Sequence, residues 1–196
     1  MAREAEIHRK TKETDIRFRI DLDGEGQCRS HTDIPFMDHM FSLLAAHGFF
    51  NFEINAKGDI QIDDHHTVED LGICMGKALK EVLGERRGIS RYGDATIPMD
   101  EALARVVLDI SNRPFLSYHV ELPGSMAGTF DIRLVQEFFR AFTNHAGITM
   151  HVDLLWGEDP HHTAEAIFKA FAKALDHATR PEKRLEGVVP STKGIL

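Results

Sequence analysis

Two stretches of the chain could hold a metal ion, and they are nearly the same phrase: His65-His66-Thr67-Val68-Glu69 and His161-His162-Thr163-Ala164-Glu165. On a helix the first His lies four residues and the second three residues before the Glu, so the donors crowd one turn. Imidazole and carboxylate together suit Mn, Fe, Zn or Co better than Ca or Mg. Each copy stands at a plausible helix start, with Asp64 before the first and Asp159-Pro160 before the second in N-cap and first-turn positions. A helix N-terminus disfavours imidazolium and so favours rings that are neutral and free to ligate. One such phrase more often lies solvated on the outside of a helix than binds an ion; its repetition shifts that balance toward ligands.

Periodicity shows the elements that must position these groups. Both copies lead into an apolar helical stripe, Leu71, Met75, Leu79 and Val82 after the first and Ile167, Phe168, Phe171 and Leu175 after the second. Upstream, residues 3–22 read as two extended segments, with Ile16, Phe18, Ile20 and Leu22 alternating against Arg17, Arg19 and Asp21. A turn at Asp23-Gly24-Glu25-Gly26 leads to a short extended piece over 27–32, a helix over 35–47 stopped by Gly48, and a strand over 51–56. The second half repeats this order: strands over 94–99, 102–110 and 114–122, a helix over 130–146, a strand over 148–155, then the second motif helix.

The halves echo each other in detail. The segments 13–22 and 101–110 share Glu13/Glu101, Arg17/Arg105, Ile20/Leu108 and Asp21/Asp109. A repeat of this length must bury a sheet face against helices, so the expected fold is α+β, a two-layer β-β-β-α-β-α unit made twice. The division is 1–92, 93–180 and a tail over 181–196. The repeat also aligns His39 with Glu137 and His47 with His145. If His39 is a third ligand at one motif, Glu137 is its counterpart at the other; on spacing alone both read equally as polar positions on half-exposed helices.

Bulk properties narrow the partners. A net charge of -8 argues against a nucleic-acid or anionic-membrane binder, which needs a basic face. No apolar run approaches the roughly 18 residues of a membrane span. Two cysteines, Cys28 and Cys74, without CxxC spacing or a secretory leader, fit a reducing, cytoplasmic setting, with Cys74 a buried thiol on its helix. Basic residues do gather around Arg86-Arg87-Gly88-Ile89-Ser90-Arg91, at Arg113, and at Ser191-Thr192-Lys193. Any one reads as solvated surface, but Arg forks with Lys and Ser could cradle a phosphate if folding assembles them.

Several phrases together resemble the imidazoleglycerol-phosphate dehydratase family: Arg9-Lys10-Thr11-Lys12-Glu13-Thr14, Phe36-Met37-Asp38-His39-Met40, Asp63 to Asp70, Gly88 to Gly93, His161 to Glu165, and Pro190 to Gly194. The resemblance runs nearly end to end. It implies a ribosomal-protein-S5-domain-2-like fold and a homo-oligomer of twenty-four subunits built from trimers, with active sites between chains. It further implies two Mn(II) ions per site and dehydration of imidazoleglycerol phosphate to imidazole acetol phosphate in histidine biosynthesis. Some members are fused to a phosphatase, for which this chain has no room, so a monofunctional enzyme is expected. By the same resemblance, His39, His65, His66, Glu69, His161, His162 and Glu165 are metal ligands and Arg91, Arg113, Ser191 and Lys193 phosphate anchors. Glu13, His39 and His47 are further substrate contacts, and the tail reaches the phosphate. Glu13 matches an acid/base carboxylate. Many members place a His where this chain has Glu137, which still offers a carboxylate to Mn(II).

The chemistry implied is demanding, because no carbonyl activates the C–H bond to be broken. The substrate's imidazole must act as electron sink, acidified by Mn(II) to an imidazolate that expels the C3 hydroxyl and gives a diazafulvene-like intermediate. Loss of the C2 proton then yields an enol that becomes the ketone. Two carboxylates share the proton transfers, with Glu165 as base and Glu13 as donor or shuttle, the two being interchangeable on sequence grounds. A two-metal hydrolase would use similar cations but would call for a bridging carboxylate, and a structural metal module would need no phosphate cradle.

Overall fold

The computed structural model describes residues 3–122 and 124–196. Its first half contains β1 (Glu4–Lys10), β2 (Thr14–Asp21), β3 (Cys28–His31), α1 (Pro35–Gly48), β4 (Asn51–Gly58) and α2 (His65–Leu83). The second contains β5 (Tyr92–Met99), β6 (Ala102–Asp109), β7 (Phe115–His119), a small pair β8 (Met126–Ala127) and β9 (Phe130–Asp131), α3 (Leu134–Ala146), β10 (Thr149–Trp156) and α4 (Pro160–Thr179). The four-stranded sheets have equivalent orders, β1-β2-β4-β3 and β5-β6-β10-β7, each antiparallel except for its last, parallel pair. This is the duplicated α+β architecture expected from the sequence.

Strand alternation explains how each sheet finds its helices. In β2, Thr14, Ile16, Phe18 and Ile20 point inward; in β6, Ala102, Ala104, Val106 and Leu108 do the same, with an identical alternation of burial. Helices α1 and α2 cover the first sheet, α3 and α4 the second, and the halves meet helix to helix, α2 along α3 and α1 along α4. One apolar core therefore runs through both halves. Its centre is aromatic, with Phe41 edge-on to Phe138 across the junction at 5.7 Å. Close approach of α2 to α3 depends on Gly72 and Gly76: a Cβ there would lie 2.4 Å from the Phe138 carbonyl oxygen and 2.6 Å from that of Phe142.

Several local expectations are corrected. The helix expected from 130 begins at Leu134, because Phe130–Asp131 pairs instead with Met126–Ala127. The strand expected over 114–122 is confined to Phe115–His119. Gly48 is the last residue of α1 and Phe49 takes the left-handed cap, φ 60°; Gly48 is needed because a Cβ would strike the Phe50 ring. Asp64 does not cap α2: its own backbone is helical, and Asp63 accepts from the His65 N–H instead. Asp159 does cap α4, accepting from the His161 and His162 N–H groups, with Pro160 in the first turn. Among the described residues, no helix is long and apolar enough to cross a membrane.

Candidate active site

The N-termini of α2 and α4 carry the two motifs, and each end gathers its own donors. At the α4 end, His39 from α1 brings its Nε2 to Glu165 Oε1 at 3.0 Å, and His161 Nε2 reaches the same oxygen at 3.1 Å. One donor atom from each of the three lies within 4.8 Å of the others, close enough for one cation to touch all three. Two imidazole nitrogens and a carboxylate oxygen are the donor set of a first-row transition ion. Glu165 is buried, and its other oxygen accepts from Lys169 Nζ at 2.6 Å. Burial pushes the Glu165 carboxyl up, but Lys169, His39 and His161 overcome it and hold the group at about 2. Phe36 backs this cluster, stacked on Phe130 at 4.6 Å and edge-on to the His161 ring at 5.4 Å.

The α2 end is looser. His65 Nε2 stands 3.8 Å from Glu69 Oε2. Glu137, aligned by the repeat with His39, lines the same cavity of about 650 Å³ as His65. Both Glu137 oxygens, however, accept from Arg140 Nη1, at 2.7 and 2.6 Å.

The second His of each pair is turned away from the first. The His65 and His66 rings are perpendicular with centroids 6.1 Å apart, and those of His161 and His162 are 6.3 Å apart at 85°. His66 Nδ1 bonds Asp59 at 3.0 Å, and His162 Nδ1 bonds Glu101 at 2.8 Å. These carboxylates push both imidazoles above their usual 6.5. The helix N-terminus was expected to do the opposite; a carboxylate at hydrogen-bond distance outweighs it. With Nδ1 engaged, Nε2 remains as the ligating atom, the arrangement carboxylates impose on metal-binding histidines.

Glu13 sits in the exposed β1–β2 turn, and its negative charge is felt by His66 rather than by the Glu165 cluster. The turn is pinned to α2 by buried Asp70, which accepts from Arg9 Nε at 2.9 Å and from the hydroxyl of Thr14. His47 lies outside the cluster, its imidazole pushed down by burial and by Lys169 and Lys173.

The four basic and hydroxyl groups do converge. Arg91, Arg113, Ser191 and Lys193 line one open cavity of about 800 Å³ between the segment before β5, the β6–β7 turn and the C-terminal residues. Arg91 forks onto Asp109 at 2.7 and 3.1 Å, which raises its affinity for its proton, and its Nη1 donates to the Pro190 carbonyl at 2.7 Å. It thereby ties the C-terminal segment to the cavity. Arg113 keeps a 65% exposed side chain whose nearest carboxylate, Asp109, is 3.5 Å away.

Asp59, Glu101 and Lys169 were not found from the sequence. Lys169 follows Glu165 by one helical turn, a spacing that signals an i,i+4 pair. Glu101 is the repeat counterpart of Glu13, which is a signal of kind but not of partner. Asp59 has none.

Comparison with known proteins gives the family of the chain. Residues 32–175 match the sequence profile of imidazoleglycerol-phosphate dehydratase. The chain is 54% identical over 195 residues to the imidazoleglycerol-phosphate dehydratase of Syntrophus aciditrophicus, spanning 99% of this chain and 98% of that protein. It is 54% identical over 196 residues to that of Geobacter metallireducens, covering both chains fully. The crystal structure of the Staphylococcus aureus enzyme superposes with a TM-score of 0.82 at 41% identity, covering 91% of this chain and 99% of that one. The Pyrococcus furiosus enzyme, solved in complex with (S)-C348, gives 0.83 at 35% identity, covering 97% and 100%.

Proposed function

The chain belongs to the imidazoleglycerol-phosphate dehydratase family, and we infer from this how its two motif-bearing ends work. It is a hydro-lyase of histidine biosynthesis that dehydrates imidazoleglycerol phosphate to imidazole acetol phosphate. The observation that carries the site assignment is the preassembled His39, His161 and Glu165 cluster, together with a basic cavity on the same chain.

In this account His39, His161 and Glu165 form one metal-binding set, and His65, Glu69 and Glu137 form the other. Within each motif the two rings stand perpendicular, and His66 and His162 are held at Nδ1 by Asp59 and Glu101, outside the sets gathered on their own chain. In this account each of these two imidazoles completes a set on another copy of the chain through Nε2. That requirement supports a homo-oligomer, with twenty-four subunits as the family resemblance implies, and two Mn(II) ions per site. The equivalent orders of the two sheets support the division into halves 1–92 and 93–180, with a phosphate-contacting tail over 181–196. The cytoplasm is the proposed location.

Bound Mn(II) supplies Lewis acidity that makes the substrate imidazole an electron sink. The chain's own residues do the rest. Glu165 has both oxygens committed, one to two imidazoles and one to Lys169, so it serves as ligand and leaves proton transfer to Glu13. Glu13 stands on a turn fixed by Asp70 and has a solvated carboxylate able to take and return a proton. Arg113, Ser191 and Lys193 hold the phosphate end, and Arg91 holds the tail over it, so that binding energy orients the reacting carbons.

The test is Arg113→Ala, since Arg113 is exposed and takes little part in packing. Loss of a charge-assisted phosphate contact predicts a rise in KM of about tenfold to a hundredfold, with Mn(II) binding unchanged. An unchanged KM would remove this cavity from substrate binding, as a structural metal module would require.

A further inference from the structure

The two donor sets within one chain are chemically unequal. At the α4 end the repeat position on the preceding helix is His39; at the α2 end it is Glu137. The first set thus offers two nitrogens and one oxygen, the second one nitrogen and two oxygens. They differ in readiness as well: among the described residues only the first is already gathered within 4.8 Å. In the second, His65 and Glu69 are 3.8 Å apart, and Glu137 is withdrawn into a pair with Arg140 one turn along α3.

We propose that Arg140 is a latch on the second metal set: it holds Glu137 until a cation displaces it, so the two sets load in order and with different ion preferences. This rests on the metal-site assignment above and deepens it. The His39 set fills first and favours borderline ions such as Zn(II). The Glu137 set fills second, because the cation must compete with a guanidinium that both occupies the carboxylate and repels the incoming charge. Its oxygen-rich donors suit hard ions better than those of the His39 set do, so Zn(II) loses there part of its lead over Mn(II). Arg140 offsets the extra negative charge that Glu137 brings to a motif already containing Glu69 and leaves the empty set with one net negative charge. Arg140 acts only through Glu137 and is a positioning residue.

The experiment is calorimetric titration of the chelator-stripped protein with Mn(II) and, separately, Zn(II), reading binding alone, with the assembly state before and after each titration followed by size-exclusion chromatography. Wild-type protein should take up Mn(II) in two phases. Arg140→Gln should tighten only the second, by about fivefold for a half-exposed pair. Arg140→Lys keeps the charge but loses the fork and should fall between. Glu137→His, which equalises the two donor sets, should widen the preference of the second phase for Zn(II) over Mn(II) to that of the first. The pair lies on an exposed helix turn, so assembly by size-exclusion chromatography should be unchanged in every variant. A single uniform Mn(II) phase in wild type, or a second phase indifferent to Arg140→Gln, would overturn the latch. Absence of any Mn(II) uptake would instead strike the metal assignment itself.

Discussion

The β1–β2 turn with α2 and the β5–β6 turn with α4 are the same construction used twice, and their differences separate catalysis from scaffolding. In the second half, Glu101 is tied down, accepting from the Asp159 N–H at 2.9 Å and from His162 Nδ1. In the first half the equivalent Glu13 has no side-chain partner among the described residues, and Asp59 holds the equivalent His66 instead. The first turn instead gains a polar clamp, Asp70 with Thr14 and Arg9, where the second half has the buried pair Ala166 and Ala102. One copy spends its turn carboxylate on orienting a histidine; the other releases it and fixes the turn by other means. The exchange leaves an exposed carboxylate on a fixed turn in one half and a histidine support in the other, which under the proposed mechanism makes Glu13 the proton carrier.

Substituting the paired carboxylates separately is the strongest way to break this comparison. Glu13→Gln should lower turnover about 10²- to 10⁴-fold while Mn(II) content and assembly stay at wild-type values. Near-normal turnover would take Glu13 out of the mechanism. Glu101→Gln should act on metal instead, weakening Mn(II) binding about 10- to 100-fold, as loss of a carboxylate behind a ligating imidazole does. Equal effects of the two substitutions on both readouts would mean the halves are not specialised.

The clamp comes next in size. Asp70→Ala leaves Arg9 unpaired beside a buried void and should cost about 3 kcal/mol in denaturant unfolding of the metal-free protein. Asp70→Asn, which keeps a hydrogen-bond acceptor, should recover part of this stability. The mirror change Ala166→Asp would bury an unpaired carboxylate and should be worse than either.

The smallest effect is on pH dependence. Asp59 and Glu101 raise His66 and His162 above 6.5, so in the metal-free protein these pairs stabilise the fold fully below 6.5. Their contribution disappears as pH rises through the elevated values. Metal-free protein should therefore show a modest fall in Tm across that window, and Asp59→Asn combined with Glu101→Gln should flatten it.

Much of this was legible in the sequence where periodicity or repetition carried it. Alternation of Ile16, Phe18, Ile20 and Leu22 marked one central strand, the echo of 13–22 in 101–110 marked its counterpart, and the repeated His-His phrase located both helix starts. What escaped depended on contacts between distant segments. The pair β8 and β9 is too short to show alternation and is anchored by Phe130 stacking on Phe36, nearly a hundred residues earlier in the chain. Asp64 reads like a cap, yet Asp63 takes that bond, since which of two adjacent acids caps depends on the chain direction entering the helix. The alignment of Glu137 with His39 was readable, but its capture by Arg140 was not, because an i,i+3 pair on an exposed helix is ordinarily silent.

Turnover with and without metal tests the central claim most directly. Chelator-stripped protein, given imidazoleglycerol phosphate, should form no product until Mn(II) is added, and then release imidazole acetol phosphate without inorganic phosphate. Phosphate release would identify a hydrolase built on this frame. Tightly bound Mn(II) with no turnover would contradict a catalytic role for the His39, His161 and Glu165 cluster and leave it a structural staple.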